Sequence, residues 1–104
     1  MLRVTAEDMG EVVILRCVGR IVRGEETAVL CTAVRGYGRS IVLDLGKVDL
    51  IDAAGMGALI ALQAAGIYLK LMDPTKQVRE VLRVTELDSV FEVCESESAH
   101  EVLA

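Results

Sequence analysis

Residues 41–57 constrain the fold of this chain more than any other stretch. The aliphatic run at residues 41–45 has the length and composition of a buried strand, and Gly46 is expected to end it. Apolar residues at helical spacing resume after Gly57. The stretch therefore predicts a strand, a short acidic loop, and a helix that begins among glycines.

The loop before this helix is the first candidate for a functional site. Its residues are Asp52, Ala53, Ala54, Gly55, Met56 and Gly57. A loop that presents backbone N–H groups at a helix N-terminus can bind an anion or dock a partner. Asp52 is expected to cap the helix, whereas Ala53 and Ala54 offer no hydroxyl, thiol or charge.

The rest of the chain alternates between strand-like and helix-like patterns. The predicted strands cover residues 2–6, 12–18, 41–45, 67–72 and 90–94. The predicted helices cover residues 25–36, residues 54–65, a segment capped by Asp73 and started by Pro74, and residues 98–101. This order, β-β-α-β-α-β-α-β-α, predicts an α/β fold with about four helices and a mixed, mostly parallel sheet of four to five strands. An N-terminal hairpin is expected to be the antiparallel exception.

Composition predicts one domain with an aliphatic core. The chain has 104 residues, of which 53% are hydrophobic and only 3% aromatic, so residues 1–104 are expected to form a single domain packed with Val, Leu, Ile, Ala and Met. No apolar run approaches the roughly 20 residues that span a bilayer. The charged residues Arg3, Glu7 and Asp8 argue against a signal peptide. The expectation is therefore a cytoplasmic protein without direct membrane insertion.

The charge balance argues against nucleic acid as a partner. The net charge is −5, and the basic residues are scattered rather than clustered as phosphate binding requires. The three cysteines, Cys17, Cys31 and Cys94, are widely spaced among apolar neighbours. They are predicted to be buried, reduced thiols rather than metal ligands or redox centres.

The sequence offers little for catalysis. His100 is the only histidine and is expected to be a solvated surface residue. Asp44, Asp49 and Asp52 do not follow the spacing of a calcium-binding loop. The glycines after Asp52 are followed by neither the Lys-Ser/Thr of a P-loop nor the pattern of a dinucleotide site. We therefore predict a protein without enzymatic activity, cofactor or metal.

Residues 41–62 resemble the signature of the STAS domain. This family takes in anti-sigma factor antagonists, stressosome subunits and the cytoplasmic domains of sulfate-type transporters. Its pattern is an Asp-Ser-Ser-Gly-Leu-Gly-like loop after the third strand, where this chain has Asp-Ala-Ala-Gly-Met-Gly. Residues 12–21, which contain a Gly-x-Ile turn, and residues 71–103 extend the resemblance over nearly the whole chain. The resemblance implies a STAS-like fold.

The resemblance also implies a binding switch. In the antagonist members of the family, the second Ser of the loop is phosphorylated by a partner that is both an anti-sigma factor and a serine kinase. The phosphate adds nearly two negative charges and bulk, which expels the partner. The unmodified form captures the anti-sigma factor and so frees the sigma factor.

This chain departs from the family pattern where that switch operates. Ala54 occupies the position of the phosphorylated Ser, and Ala53 occupies that of the other Ser. Val22 stands where the family often has an acid, and the second helix is about one turn shorter than is usual in the family. The loop residues that match the family are Asp52, Gly55 and Gly57.

Three interpretations follow from this departure. The first is an antagonist-like interaction module that is not phosphorylatable at Ala54 and whose partner is an anti-sigma factor with serine kinase activity. Because Ala resembles unmodified Ser in size, such a module would be locked in the unphosphorylated-like state. The second is a scaffold or regulatory subunit, either stressosome-like or part of a lipid-transport ABC system, whose partner is the transporter ATPase subunit or other STAS proteins. The third, an enzyme on this fold, is the least favoured.

Overall fold

Strands and helices alternate along residues 1–37 and 40–96, which are the residues described by a computed structural model. The strands are β1 (Leu2–Asp8), β2 (Val12–Ile21), β3 (Ser40–Ile51), β4 (Leu69–Met72) and β5 (Glu92–Cys94). The α-helices of this part are α1 (Glu25–Tyr37), α2 (Ala53–Ala64) and α3 (Lys76–Val84), and a 3₁₀ helix covers Leu87–Ser89. The predicted fourth helix, at residues 98–101, lies outside the described residues.

The five strands form one sheet in the order β1-β2-β3-β4-β5. β1 pairs antiparallel with β2, whereas the pairs β2–β3, β3–β4 and β4–β5 are parallel. The prediction of a mixed, mostly parallel sheet with an antiparallel N-terminal hairpin is therefore confirmed.

The core lies between one face of this sheet and the helices. One buried cluster joins alternate strand residues to residues of all three helices, among them Leu15, Leu43, Leu71, Leu30, Leu59 and Leu82. Phe91 is the only aromatic side chain in that cluster. The predicted aliphatic core is therefore confirmed for the described part of the chain.

The opposite face of the sheet carries ion pairs between neighbouring strands. The Arg16 guanidinium on β2 contacts Glu7 on β1 at 2.7 Å and Asp44 on β3 at 2.9 Å. Lys70 on β4 contacts Glu92 on β5 at 3.3 Å. Exposed pairs contribute at most about 1 kcal/mol each. The aliphatic core, rather than this charged face, therefore dominates the stability of the fold.

Two predicted strand ends are wrong, because Gly19 and Gly46 lie within strands. β2 and β3 continue beyond these glycines, and the register between the two strands shifts nearby. Gly19 has a φ of +120°, and a Cβ at this position would lie 2.2 Å from the Met1 carbonyl oxygen. The predicted acidic loop is likewise wrong, since residues 46–51 belong to β3 and only Asp52 separates β3 from α2. Residues 53–57 of the candidate loop form the first part of α2.

The start of α3 also differs from the prediction of a cap at Asp73 and a first helical residue at Pro74. Thr75 is the N-cap, and its hydroxyl oxygen accepts a hydrogen bond from the Val78 N–H at 3.5 Å. Asp73 has a φ of +51° and its carboxylate accepts a hydrogen bond from the Ser96 N–H at 2.8 Å. The Asp73 side chain therefore ties the end of β4 to the segment after β5 instead of capping α3.

Only one side of α2 is buried, although its sequence is apolar nearly all round. Met56, Leu59 and Leu62 face the core, whereas Ile60 remains 39% exposed and Ala61 is exposed. An apolar sequence on all sides of this helix therefore does not bury all of its sides. No helix in the described part of the chain is both long and apolar enough to cross a membrane.

The three cysteines are free thiols in different surroundings. Cys17 is buried, as predicted, but Cys31 and Cys94 are only half-buried. The exposure of each thiol therefore depends on the strand or helix that carries it. Apolar neighbours in the sequence do not predict it on their own.

Candidate partner-docking site

The candidate loop lies at the carboxyl ends of two neighbouring parallel strands. β2 and β3 remain paired as far as Ile21 and Ile51, and Asp52 follows directly. α2 begins at Ala53. In open α/β sheets, ligands commonly bind outside the carboxyl ends of the strands.

Asp52 links the segment that follows β2 to the start of α2. Its Oδ1 accepts a hydrogen bond from the Gly55 N–H at 2.8 Å, and its Oδ2 accepts one from the Arg23 N–H at 3.1 Å. The Asp52 N–H donates to the Ile21 carbonyl at 3.3 Å. The prediction that Asp52 caps the helix is confirmed, and the same carboxylate also fixes the chain that leaves β2.

These contacts keep Asp52 ionised. Hydrogen bonds from the Gly55 N–H and then the Arg23 N–H lower the pKa of the carboxyl group below its ordinary value. The carboxylate therefore already occupies the Gly55 N–H and places a negative charge at the start of α2, where an anion would otherwise bind. Of the two uses that the sequence left open for this loop, docking of a partner suits the geometry better than anion binding.

The two glycines of the loop sit in different surroundings. A Cβ at Gly55 would lie 2.1 Å from the Ile21 carbonyl oxygen and 2.9 Å from the Cγ1 of Ile51. Only glycine therefore lets the first turn of α2 pack against the ends of both strands. A Cβ at Gly57 would meet nothing within 4 Å. Packing explains the glycine at Gly55 but not the one at Gly57.

The predicted site residues divide into a buried and an accessible group. Gly55 and Met56 are buried. Ala53 and Gly57 are exposed, and Ala54 is half-buried. The surface that a partner can touch therefore consists of the first alanines of α2 and the glycine one turn later.

Two neighbours of the loop were missed by the sequence analysis. Arg23 contributes the backbone N–H that holds Asp52, and its side chain is exposed. Leu50 is 39% exposed and pairs with Arg20, just before Asp52 along β3. Burial along β3 does not alternate beyond Gly46, since Asp49 and Leu50 are both exposed, so no period-two pattern in the sequence marks Leu50.

The other candidate residues do not join this site. Asp44 pairs with Arg16 on the charged face of the sheet, and Asp49 is exposed on β3. His100 lies outside the described residues. Within residues 1–37 and 40–96, no group of three or more His, Cys, Asp or Glu side chains could hold a metal ion.

An α/β domain with this sheet order and this capped helix start agrees with the comparison to known families. The profile of the STAS domain matches residues 3–100. The chain therefore belongs to the STAS domain family. Among curated proteins, none matches the sequence.

Solved structures show the same fold. A candidate anti-sigma factor antagonist from Thermotoga maritima is 25% identical, with a TM-score of 0.77 over 97% of this chain and 95% of that chain. An anti-sigma factor antagonist from Mycobacterium paratuberculosis is 20% identical, with a TM-score of 0.76 over 90% of this chain and 86% of that one. The phosphorylated form of the Bacillus cell fate determinant SpoIIAA is 17% identical, with a TM-score of 0.68 over 98% of this chain and 100% of that one. The family and the first of these likenesses support a regulatory protein-interaction module.

Proposed function

We propose that this chain is a non-enzymatic interaction module of the anti-sigma factor antagonist type that cannot be phosphorylated at the usual loop position. The observation that carries the proposal is the start of α2, where Asp52 and Gly55 hold the helix against β2 while Ala54 offers no hydroxyl. The partner is an anti-sigma factor with serine kinase activity, which docks on the surface formed by residues 52–57.

The position of Ala54 explains why phosphorylation there would matter. Ala54 is the second residue of α2 and lies two residues after the ionised Asp52. A phosphate on a hydroxyl at this position would add nearly two negative charges beside that carboxylate. Alanine cannot accept the phosphate, so the loop keeps the charge and shape of the binding-competent state.

The absence of enzymatic activity is part of the same proposal. The Asp52 carboxylate accepts hydrogen bonds from the backbone N–H groups of Gly55 and Arg23, and within the described residues no group of three or more His, Cys, Asp or Glu side chains could hold a metal ion. A general base needs a reachable proton and a pKa near the working pH, whereas the pKa of Asp52 is lowered. Its side chain therefore serves the structure of the loop.

A second candidate function is that of a scaffold or regulatory subunit. The pair Ala53 and Ala54 favours it as well, because a permanently docked subunit needs no covalent switch in this loop. Its partner is an ABC-transporter ATPase subunit or another STAS protein. The two candidates differ in the partner that the chain retains.

Retention of defined partners by the immobilised chain tests the proposal. A kinase-type anti-sigma factor and an ABC ATPase subunit are offered separately, and bound protein is identified by mass spectrometry. We expect retention of the anti-sigma factor, at least tenfold weaker binding for Ala54→Glu, and unchanged binding for the matched control Ala61→Glu, since Ala61 is exposed further along α2. Retention of the ATPase subunit alone would favour the second candidate. Equal binding by the wild type and Ala54→Glu would show that the loop is not the docking surface.

A further inference from the structure

β1 is an open edge of the sheet. It pairs with β2 along one side, and within the described residues no strand pairs with its other side. β1 is seven residues long and contains no proline, lysine or bulge. It therefore lacks several of the features that prevent edge strands from pairing with another chain.

The direction of the free backbone groups follows from the pairing of β1 with β2. The Arg20 N–H donates to the Met1 carbonyl at 3.2 Å, in line with the antiparallel register of the two strands. Residues in such a ladder alternate between facing the neighbouring strand and facing away from it. Odd-numbered residues of β1 therefore bond to β2, and the backbone N–H and C=O groups of Leu2, Val4 and Ala6 point to the open side.

The sequence of β1 is complementary to itself about Thr5. Antiparallel pairing of two copies with Thr5 at the two-fold axis places Val4 of each copy opposite Ala6 of the other, with their outward backbone groups in hydrogen-bonding position. The same register places Arg3 of each copy opposite Glu7 of the other. Pairing centred on Val4 or on Ala6 opposes no side chains of opposite charge. The charges of β1 therefore specify one register.

The side chains needed for this pairing are accessible. Arg3 is exposed and forms no ion pair with any described residue. Glu7 is also exposed and uses Oε1 to contact Arg16 at 2.7 Å, which leaves Oε2 for a second cation. Directly opposed residues of paired strands have Cβ atoms about 4.5–5.5 Å apart, within reach of an arginine and a glutamate.

We propose that the chain forms an antiparallel homodimer through β1, with a two-fold axis at Thr5 and reciprocal Arg3–Glu7 ion pairs. The sheets of the two copies then become one continuous sheet. Since pairing of two short edge strands buries less than the roughly 1,200 Å² of a standard interface, the dimer is weak and reversible. It is expected to dissociate in the range of about 10 μM to 1 mM and to weaken as salt screens the exposed ion pairs.

Charge reversal tests the register. Arg3→Glu opposes Glu to Glu7 in both pairs, and Glu7→Arg opposes Arg to Arg3, so each variant alone should dimerise at least tenfold more weakly than the wild type in analytical ultracentrifugation. An equimolar mixture of the two variants should form a heterodimer, because every opposed pair then has opposite charges. Circular dichroism verifies that each variant is folded.

A backbone change tests the edge independently of charge. Ala6→Pro removes an N–H that points to the open side and leaves the bonds between β1 and β2 in place, so it should give a monomer. Ala6→Ser keeps that N–H and should still dimerise. A wild type that stays monomeric up to about 1 mM would overturn the proposal. A dimer that tolerates both Arg3→Glu and Ala6→Pro would also overturn it.

Discussion

Single residues at the start of α2 act through contacts of a few ångströms. Gly55 touches the end of β2, Asp52 binds two backbone N–H groups, and Gly57 faces open space. The three residues belong to one motif in sequence, yet each has a different physical reason to be there or, for Gly57, no packing reason. Substitutions should separate these roles.

Alanine at the two glycines should have opposite effects on stability. Gly55→Ala forces a Cβ to within 2.1 Å of the Ile21 carbonyl oxygen, so we expect a loss of about 1–3 kcal/mol or more in the free energy of unfolding. Gly57→Ala adds a methyl group in open space within a helix and should gain about 0.5–1 kcal/mol. Urea denaturation measures both. Equal destabilisation by the two changes would show that the close packing of α2 against β2 is wrong.

The carboxylate of Asp52 should make stability depend on pH. Its pKa is lowered by hydrogen bonds in the folded state, so its contribution is fully present above the ordinary aspartate pKa of about 3.9 and is lost as the pH falls through the lower folded value. Asn can still cap the helix. The stability difference between the wild type and Asp52→Asn should therefore shrink as the pH falls below about 4.

Urea denaturation of both proteins from neutral to acidic pH measures this difference. Asp49→Asn is the matched control, since Asp49 is exposed and accepts no hydrogen bond within the described part of the chain. A difference for Asp52→Asn that stays constant down to acidic pH would contradict the assigned hydrogen bonds.

At the scale of elements, the first turn of α3 takes the place of a strand beside β3. β4 pairs only with residues 41–44 of β3, so the second half of β3 extends beyond it. The Thr75 hydroxyl donates to the Val48 carbonyl at 2.8 Å, and the Ile51 N–H donates to the Gln77 Oε1 at 3.2 Å. The start of α3 therefore satisfies backbone groups of β3 just before the candidate site.

Loss of the Thr75 hydroxyl should weaken the contact between the start of α3 and β3. Thr75→Ala removes the helix cap and leaves the Val48 carbonyl without its side-chain donor, so we expect a loss of about 1–2 kcal/mol in the free energy of unfolding. Thr32→Ala, at an exposed position of α1, should change stability by less than about 0.5 kcal/mol. Similar effects of the two substitutions would contradict the capping role of Thr75.

The errors in predicting the elements have a common physical origin. Hydrophobic periodicity and residue propensity identified the strands and helices, because the buried residues of a strand and of a helix recur at different spacings. Whether Gly46 ends a strand or lies at a register shift depends on the neighbouring strand. Whether Asp73 or Thr75 caps α3 depends on Val48 and Ser96, which are distant in sequence.

The contacts of the candidate site likewise fall into local ones, which the sequence predicts, and contacts between distant residues, which it does not. Asp52 as a cap was predictable, since its partner Gly55 is three residues away. The bond from the Arg23 N–H joins residues 29 positions apart, and the close approach of Gly55 to Ile21 also depends on the packing of α2 against β2. No local pattern carries either contact, so the sequence indicated the loop but not the residues that brace it.

At the scale of the whole molecule, the aliphatic core controls access to the thiols. Burial, with a smaller effect of the Asp44 charge, raises the pKa of the Cys17 thiol to about 12. Cys31 and Cys94 are only half-buried. The three thiols therefore report separately on the packed core and on its margins.

The rate of thiol alkylation should follow the exposure of the three cysteines. With iodoacetamide at neutral pH, we expect Cys31 and Cys94 to be modified in the native protein, while Cys17 is modified only after unfolding, because its thiolate is scarce and buried. Peptide mass spectrometry of native and urea-treated samples measures the three rates. Modification of Cys17 at the rate of Cys94 without denaturant would show that the core opens readily.

The central claim is that residues 52–57 form a docking surface without its covalent switch. The most direct measurement incubates the complex of this chain and a kinase-type anti-sigma factor with ATP, then records the intact mass of the chain and the fraction that stays bound. A phosphorylatable antagonist of the same kinase verifies that the kinase is active. We predict an unchanged mass and a complex that persists. A chain that gains a phosphoryl group at Thr27, Thr32, Ser40 or any other hydroxyl and releases its partner would contradict the account.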